Sequence, residues 1–152
     1  MADPLNLLIV EARFYEDLAD ELYAGAAEFL NAKGVHVDRI QVPGTFEIPA
    51  AIAFADQARK NGTGPHYDAY VALGVVIRGE TSHYDYVCGE SARGLQDLAI
   101  RDHLAIGYGI LTVENDDQAW ARADRKRGNK GRAASEAALA MAGLKRRFGV
   151  KA

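Results

Sequence analysis

Tyr70-Val71-Ala72-Leu73-Gly74-Val75-Val76-Ile77 is an uninterrupted apolar run rich in β-branched side chains. Such a run suits a strand covered on both faces, the condition of a central strand in a parallel sheet. Upstream, Asn61-Gly62-Thr63-Gly64-Pro65 crowds breakers into a surface loop. The alanine-rich segment before it, with Ile48 and Ile52 four apart, predicts a helix to about Lys60. Downstream, the polar stretch Arg78 to His83 leads into a helix with Val87, Ser91, Leu95 and Leu98 on one face. A second strand-like run, Ile106 to Val113, follows.

The same alternation holds at both ends. Leu5 to Val10 reads as a buried first strand, and Glu16, Asp17, Asp20 and Glu21 open a helix whose apolar positions are Leu18, Leu22, Ala26 and Phe29. Lys33-Gly34 closes it, Val35 to Val42 forms the second strand, and Pro43-Gly44 breaks that strand. Asn115 with Gln118 three residues on has the pattern of a capping box and opens a short helix through Trp120. The last helix places Ala137, Met141, Leu144 and Phe148 on a single stripe. Four strands alternating with helices predict an α/β chain: a flavodoxin-like three-layer sandwich, its four-stranded parallel sheet covered by helices on both faces.

A chain of 152 residues suits one domain spanning 1–152. With 49% hydrophobic and 26% charged residues it has the composition of a folded globular protein. A formal net charge of -3 gives no electrostatic case for nucleic acid. No apolar run approaches the ~20 residues of a membrane helix. The single cysteine, Cys88, cannot form an internal disulfide and reads as helix filler. Met1-Ala2-Asp3-Pro4 lacks a signal-peptide pattern, so the expected location is cytoplasmic. Four histidines and one cysteine show none of the close pair spacings of zinc sites, so no metal is expected.

In parallel α/β sheets ligands bind beyond the carboxyl ends of the strands. The unusual residues gather there: Arg13-Phe14-Tyr15, Pro43-Gly44-Thr45-Phe46-Glu47, Arg78-Gly79-Glu80-Thr81-Ser82-His83, and Thr112 to Asn115. Aromatics beside a glutamate, a histidine, glycines and hydroxyls suit a planar polar ring carrying hydroxyls, together with an anionic partner. Taken singly, each has a plainer reading: a junction phenylalanine packs in a core, a first-turn glutamate faces a helix dipole, and Arg122 to Arg132 is a solvated basic surface.

Together these segments resemble the lumazine synthase family over nearly the whole chain. The resemblance is carried by Ala12-Arg13-Phe14, Pro43-Gly44-Thr45-Phe46-Glu47-Ile48-Pro49, the stretch Ala72 to Val87, and Gly128-Asn129-Lys130-Gly131. It implies that Phe14 stacks on a pyrimidine, that Thr45, Phe46 and Glu47 bind a ribityl chain, and that Val75, Val76 and Ile77 flank the heterocycle. Glu80 and Thr81, with Gly79, would meet a phosphate at a helix N-terminus, the Glu80 side chain pointing away. Arg122 would clamp that phosphate, with Lys130 at the phosphate or at a ring carbonyl. His83 would move protons, with Asp85 near enough in sequence to influence it. Tyr108 would reach the site of an adjacent subunit.

The implied reaction condenses 5-amino-6-ribitylaminouracil with 3,4-dihydroxy-2-butanone 4-phosphate to 6,7-dimethyl-8-ribityllumazine, releasing phosphate and water, without a cofactor. The implied assembly is a homopentamer, or a sixty-subunit shell of pentamers, with sites between adjacent subunits. Tyr15 stands where the family often has asparagine and Thr45 where it often has alanine. Arg125-Lys126-Arg127 replaces smaller residues before Gly128. The Arg125-Lys126-Arg127 replacement bears on the family's turn between pentamers, whereas Tyr15, Thr45 and Ser82, which directly precedes His83, keep a second expectation open, a non-catalytic flavin- or lumazine-binding paralogue.

Overall fold

In the computed structural model, which describes residues 4–150, the chain runs β1 (Asn6–Ala12), α1 (Glu16–Ala32), β2 (His36–Val42), a 3-10 turn (Thr45–Glu47), α2 (Ile48–Lys60), β3 (Ala69–Ile77), α3 (His83–Arg101), β4 (Ile106–Val113), α4 (Asp116–Ala123) and α5 (Lys130–Arg147). Met1, Ala2 and Asp3, read above for a targeting signal, lie outside the described residues. The strands pair in parallel in the order β2-β1-β3-β4, the flavodoxin-like arrangement that the alternating pattern predicts.

Successive side chains of a strand point to opposite faces, and here both faces are dry. Leu7, Ile9, Val71 and Leu73 enter one core with α1, α4 and α5; Leu8, Val10, Tyr70 and Ala72 enter the other with α2 and α3. Each fully enclosed large aliphatic contributes about 1.5–3 kcal/mol over an exposed one. Strand β2 is different: as an edge strand it leaves most positions partly or fully open to solvent.

Local signals set the ends. Gly34, in the left-handed region at φ 71°, follows the cap of α1. Asn115 caps α4 by accepting from the Gln118 backbone N–H at 2.9 Å. The return leg of that box is shifted by one residue, since the Gln118 side chain accepts from the Glu114 N–H at 2.8 Å. The helix runs three residues past Trp120, to Ala123.

The apolar stripe that the sequence places on α5 is its outer one. Ala137, Met141, Leu144 and Phe148 are all exposed, Phe148 at 69%, while the inner face is Gly131, Ala134, Ser135, Ala138 and Ala142. The cause is distance. A Cβ on Gly107 of β4 would stand 1.9 Å from the Ala134 carbonyl oxygen, so α5 lies too close to the sheet for a large side chain to fit between them. Hydrophobic periodicity favours the bulky residues; close approach selects the small ones.

Gly107→Ala is therefore expected to destabilise the fold by about 1–3 kcal/mol by forcing α5 off the sheet. Gly143→Ala, on the open face of the same helix where an added Cβ meets nothing within 4 Å, is expected to stabilise it by about 0.5–1 kcal/mol. Denaturant unfolding of the two variants beside the parent checks both signs.

Candidate active site

Strands β1 and β3 are neighbours, but α1 leaves β1 toward one face of the sheet and α3 leaves β3 toward the other. The chains part beyond the carboxyl ends, as expected at a topological switch point. A cleft of about 520 Å³ opens there.

Its walls come from three junctions and one helix start. Phe14 and Tyr15 follow β1 and meet edge to face, their ring centroids 4.9 Å apart. Phe14 is 79% exposed, an apolar ring left facing the cleft mouth. After β2, Pro43 and Gly44 lead into the 3-10 turn that carries Thr45, Phe46 and Glu47. Thr45 is buried against β3, where a Cβ on Gly74 would fall 2.7 Å from its Oγ1; glycine at that position lets the turn sit on the strand. Ile48, fully buried, anchors the start of α2 beneath it.

Val75, Val76 and Ile77 form the floor. Pairing of β3 with β1 ends at Glu11 and Leu73, whereas pairing with β4 continues to Ile77 and Val113. The backbone edge of these three residues that faces the cleft therefore has no strand partner, and its N–H and C=O groups require another one. His83 opens α3, its own N–H donating to the Thr81 hydroxyl at 3.3 Å, and Val87 lies one turn further along the same face. An exposed aromatic ring, unpaired amide groups, a carboxylate and an imidazole are the means to hold a flat heterocycle with hydroxyl substituents and to exchange protons with it.

Of the residues singled out in the sequence, Phe14, Thr45, Phe46, Glu47, Val75, Val76, Ile77 and His83 line this cleft. Glu80, Thr81, Tyr108, Arg122 and Lys130 do not line the cleft of their own chain. Glu80 and Thr81 sit exposed just outside it before α3. Tyr108 projects from edge strand β4 beside Leu95 and Gln96 of α3, and burial pushes its hydroxyl pKa up. Arg122, at the end of α4, donates to its own helix at the Gln118 carbonyl, 2.9 Å away. Lys130 begins α5 on the α1 side of the sheet. The junction after β4, expected to share the site, instead forms the cap of α4.

Asp85 does not turn to His83. It faces Arg78 at 3.3 Å, which also binds Glu114 at 2.8 Å and lies over the Tyr84 ring, 4.2 Å from its centroid. The Arg78 guanidinium, a permanent cation with several donors, is the partner that takes this carboxylate. Tyr15, named with the first junction, lines the cleft as well, and Val87 lines it without having been singled out for it. The four-residue spacing of Val87 from His83 is the signal that places it on the same face. Cys88 is half-buried, and desolvation pushes its thiol pKa up, away from nucleophile chemistry. Among the described residues no group of three or more His, Cys, Asp or Glu side chains is arranged to hold a metal ion, and no helix is long and apolar enough to cross a membrane.

Comparison with known proteins bears on this cleft directly. The family model for 6,7-dimethyl-8-ribityllumazine synthase matches residues 4–146. A protein called 6,7-dimethyl-8-ribityllumazine synthase 1 in Rhizobium meliloti is 57% identical over 148 residues, covering 97% of this chain and 96% of its own. The 6,7-dimethyl-8-ribityllumazine synthase of Bartonella bacilliformis is 58% identical over 95% of this chain and 92% of its own. That of Agrobacterium fabrum is 57% identical over 95% and 97%. The match runs through every junction that builds the cleft, and the chain belongs to the 6,7-dimethyl-8-ribityllumazine synthase family.

Proposed function

We infer that this chain is a transferase of riboflavin biosynthesis that condenses 5-amino-6-ribitylaminouracil with 3,4-dihydroxy-2-butanone 4-phosphate to 6,7-dimethyl-8-ribityllumazine. The observation that carries the reading is the convergence of eight motif residues from separate parts of the chain on one cleft at the switch point. The pyrimidine stacks on Phe14, its ring edge meets the free backbone of Val75 to Ile77, and its ribityl chain lies along Thr45, Phe46 and Glu47. Its 5-amine attacks the ketone and one water leaves to give an imine; a proton and phosphate are then eliminated to give an enol that tautomerises to a ketone, and attack of the ribityl-bearing nitrogen on that ketone closes the ring with loss of a second water. Both reactants are intrinsically reactive, so holding them oriented supplies most of the acceleration, and His83 assists proton movement.

The phosphate requires cations, and among the described residues the cleft lining contains neither lysine nor arginine. The proposal is that Arg122, Lys130 and Tyr108 complete the cleft of an adjacent subunit, with Glu80 and Thr81 offering backbone N–H groups at the start of α3. Their positions outside their own cleft support this arrangement. Assembly is then a condition of activity, as a homopentamer or a sixty-subunit shell of pentamers. The proposal treats residues 1–152 as one domain. It also extends to a cytoplasmic location, supported by the single cysteine.

Mixing the protein with both substrates and following lumazine fluorescence tests the function. New emission that grows with time is expected; a change only in added lumazine would instead identify the binding paralogue. Steady-state kinetics test the assignments. Arg122→Ala is expected to raise KM for the phosphate-bearing substrate much more than for the pyrimidine, and the reverse order would exchange the two subsites. His83→Ala is expected to lower kcat by about 100-fold, the low end for a positioned acid or base, and leave measurable turnover; complete loss would put proton transfer ahead of orientation.

A further inference from the structure

Beside the cleft, and outside its lining, lies a second recess built around one buried carboxylate. Glu11, the penultimate residue of β1, is 1% exposed. Arg39 of β2 donates through Nε to one carboxylate oxygen and through a terminal nitrogen to the other at 3.2 Å. Arg13 donates to that second oxygen at 2.6 Å, and its other terminal nitrogen reaches Asp20 on α1. The Arg39 guanidinium also stacks 3.5 Å from the centroid of Tyr23 on α1. One carboxylate thus ties β1, β2, the β1–α1 junction and α1 together.

We propose that this Glu11–Arg13–Arg39 cluster is a positioning device for Phe14, fixing the backbone from which the stacking ring projects. Among the described residues of its own chain Phe14 has little else to hold it: it is largely exposed, and its aromatic contact is the edge of Tyr15, which belongs to the same junction. Its aim is set by its backbone, and the adjacent Arg13 cannot shift without breaking pairs at both Glu11 and Asp20. A buried carboxylate is strongly destabilised when one cation is withdrawn, which makes the arrangement stiff. The three residues of the cluster do not line the ligand cleft and act on it through Phe14 alone.

The proposal rests on the reading of Phe14 as the stacking aromatic, and the test separates the two. Fluorescence titration with 6,7-dimethyl-8-ribityllumazine is carried out on the unaltered protein and on Arg13→Ala, Arg13→Lys, Asp20→Asn, Phe14→Ala and the Phe14→Ala/Arg13→Ala double variant. Arg13→Ala is expected to weaken binding about ten- to a hundredfold through misplacement of the ring. Arg13→Lys, which keeps charge but not the fork, recovers part of the loss. KM for the phosphate-bearing substrate stays within about twofold in each, which a general loosening of the fold would not allow. In the Phe14→Ala background, Arg13→Ala adds less than about twofold. If Arg13→Ala does not fold, Asp20→Asn, which removes only the exposed arm, carries the test with an expected weakening of about two- to fivefold. Full-strength binding by the folded arginine variant, or an equal loss with and without Phe14, overturns the proposal alone. Failure of the unaltered protein to bind lumazine overturns the functional reading and this proposal with it.

Discussion

The side-by-side pairing of β1 with β3 is the constraint on which the rest of the structure depends. Both strands are buried on both faces, so their helices must leave at the carboxyl ends, and right-handed crossovers send α1 and α3 to opposite sides of the sheet. A crevice between them follows from topology before any side chain is chosen. β3 also outruns β1, from Gly74 to Ile77, leaving peptide groups at the crevice floor without a strand partner. A sheet that stops unevenly thus creates a polar edge inside an apolar cleft, and that edge is what a flat, hydrogen-bonding ring needs.

Around this crevice the molecule uses two kinds of contact. Where helix meets sheet or helix, small residues permit close approach: Gly107 beneath Ala134 on α5, Gly74 beneath Thr45. Where junctions must be held at fixed angles, ion pairs do the holding. Glu11 gathers Arg13 and Arg39 beside the β1 junction, and Arg125 binds Glu21 and Glu28 of α1 from the turn between α4 and α5. The Arg125-Lys126-Arg127 departure from the family pattern therefore has a local structural use. Arg125 fastens that turn to α1, and Arg127 pairs with Asp124 within it at 3.2 Å.

Much of the fold was legible because its elements obey their periods. β3 and β4 were readable almost to the residue, since strands covered on both faces select continuous apolar runs. The cap of α4 was readable because Asn115 and Gln118 act within one turn of chain. The buried face of α5 was not legible, because its selection depends on a distance to β4 that no helical period encodes. The ion pair of Asp85 with Arg78 was not legible for a similar reason: Arg78 is held in place by Glu114, which lies 36 residues further along the chain, and by the Tyr84 ring.

The amino-acid order alone determined the element types, the parallel class and the junctions at which chemistry gathers, because these follow from side-chain periodicity and from short-range turn and cap preferences. Tertiary structure decided which junctions meet. It brought the turns after β1 and β2 to the end of β3 and the start of α3, set the β4 junction apart, and placed Tyr108, Arg122 and Lys130 outside the cleft of their own chain. Those outcomes depend on strand order and on the faces to which helices cross, and both arise only when segments distant in sequence compete for the same apolar surface.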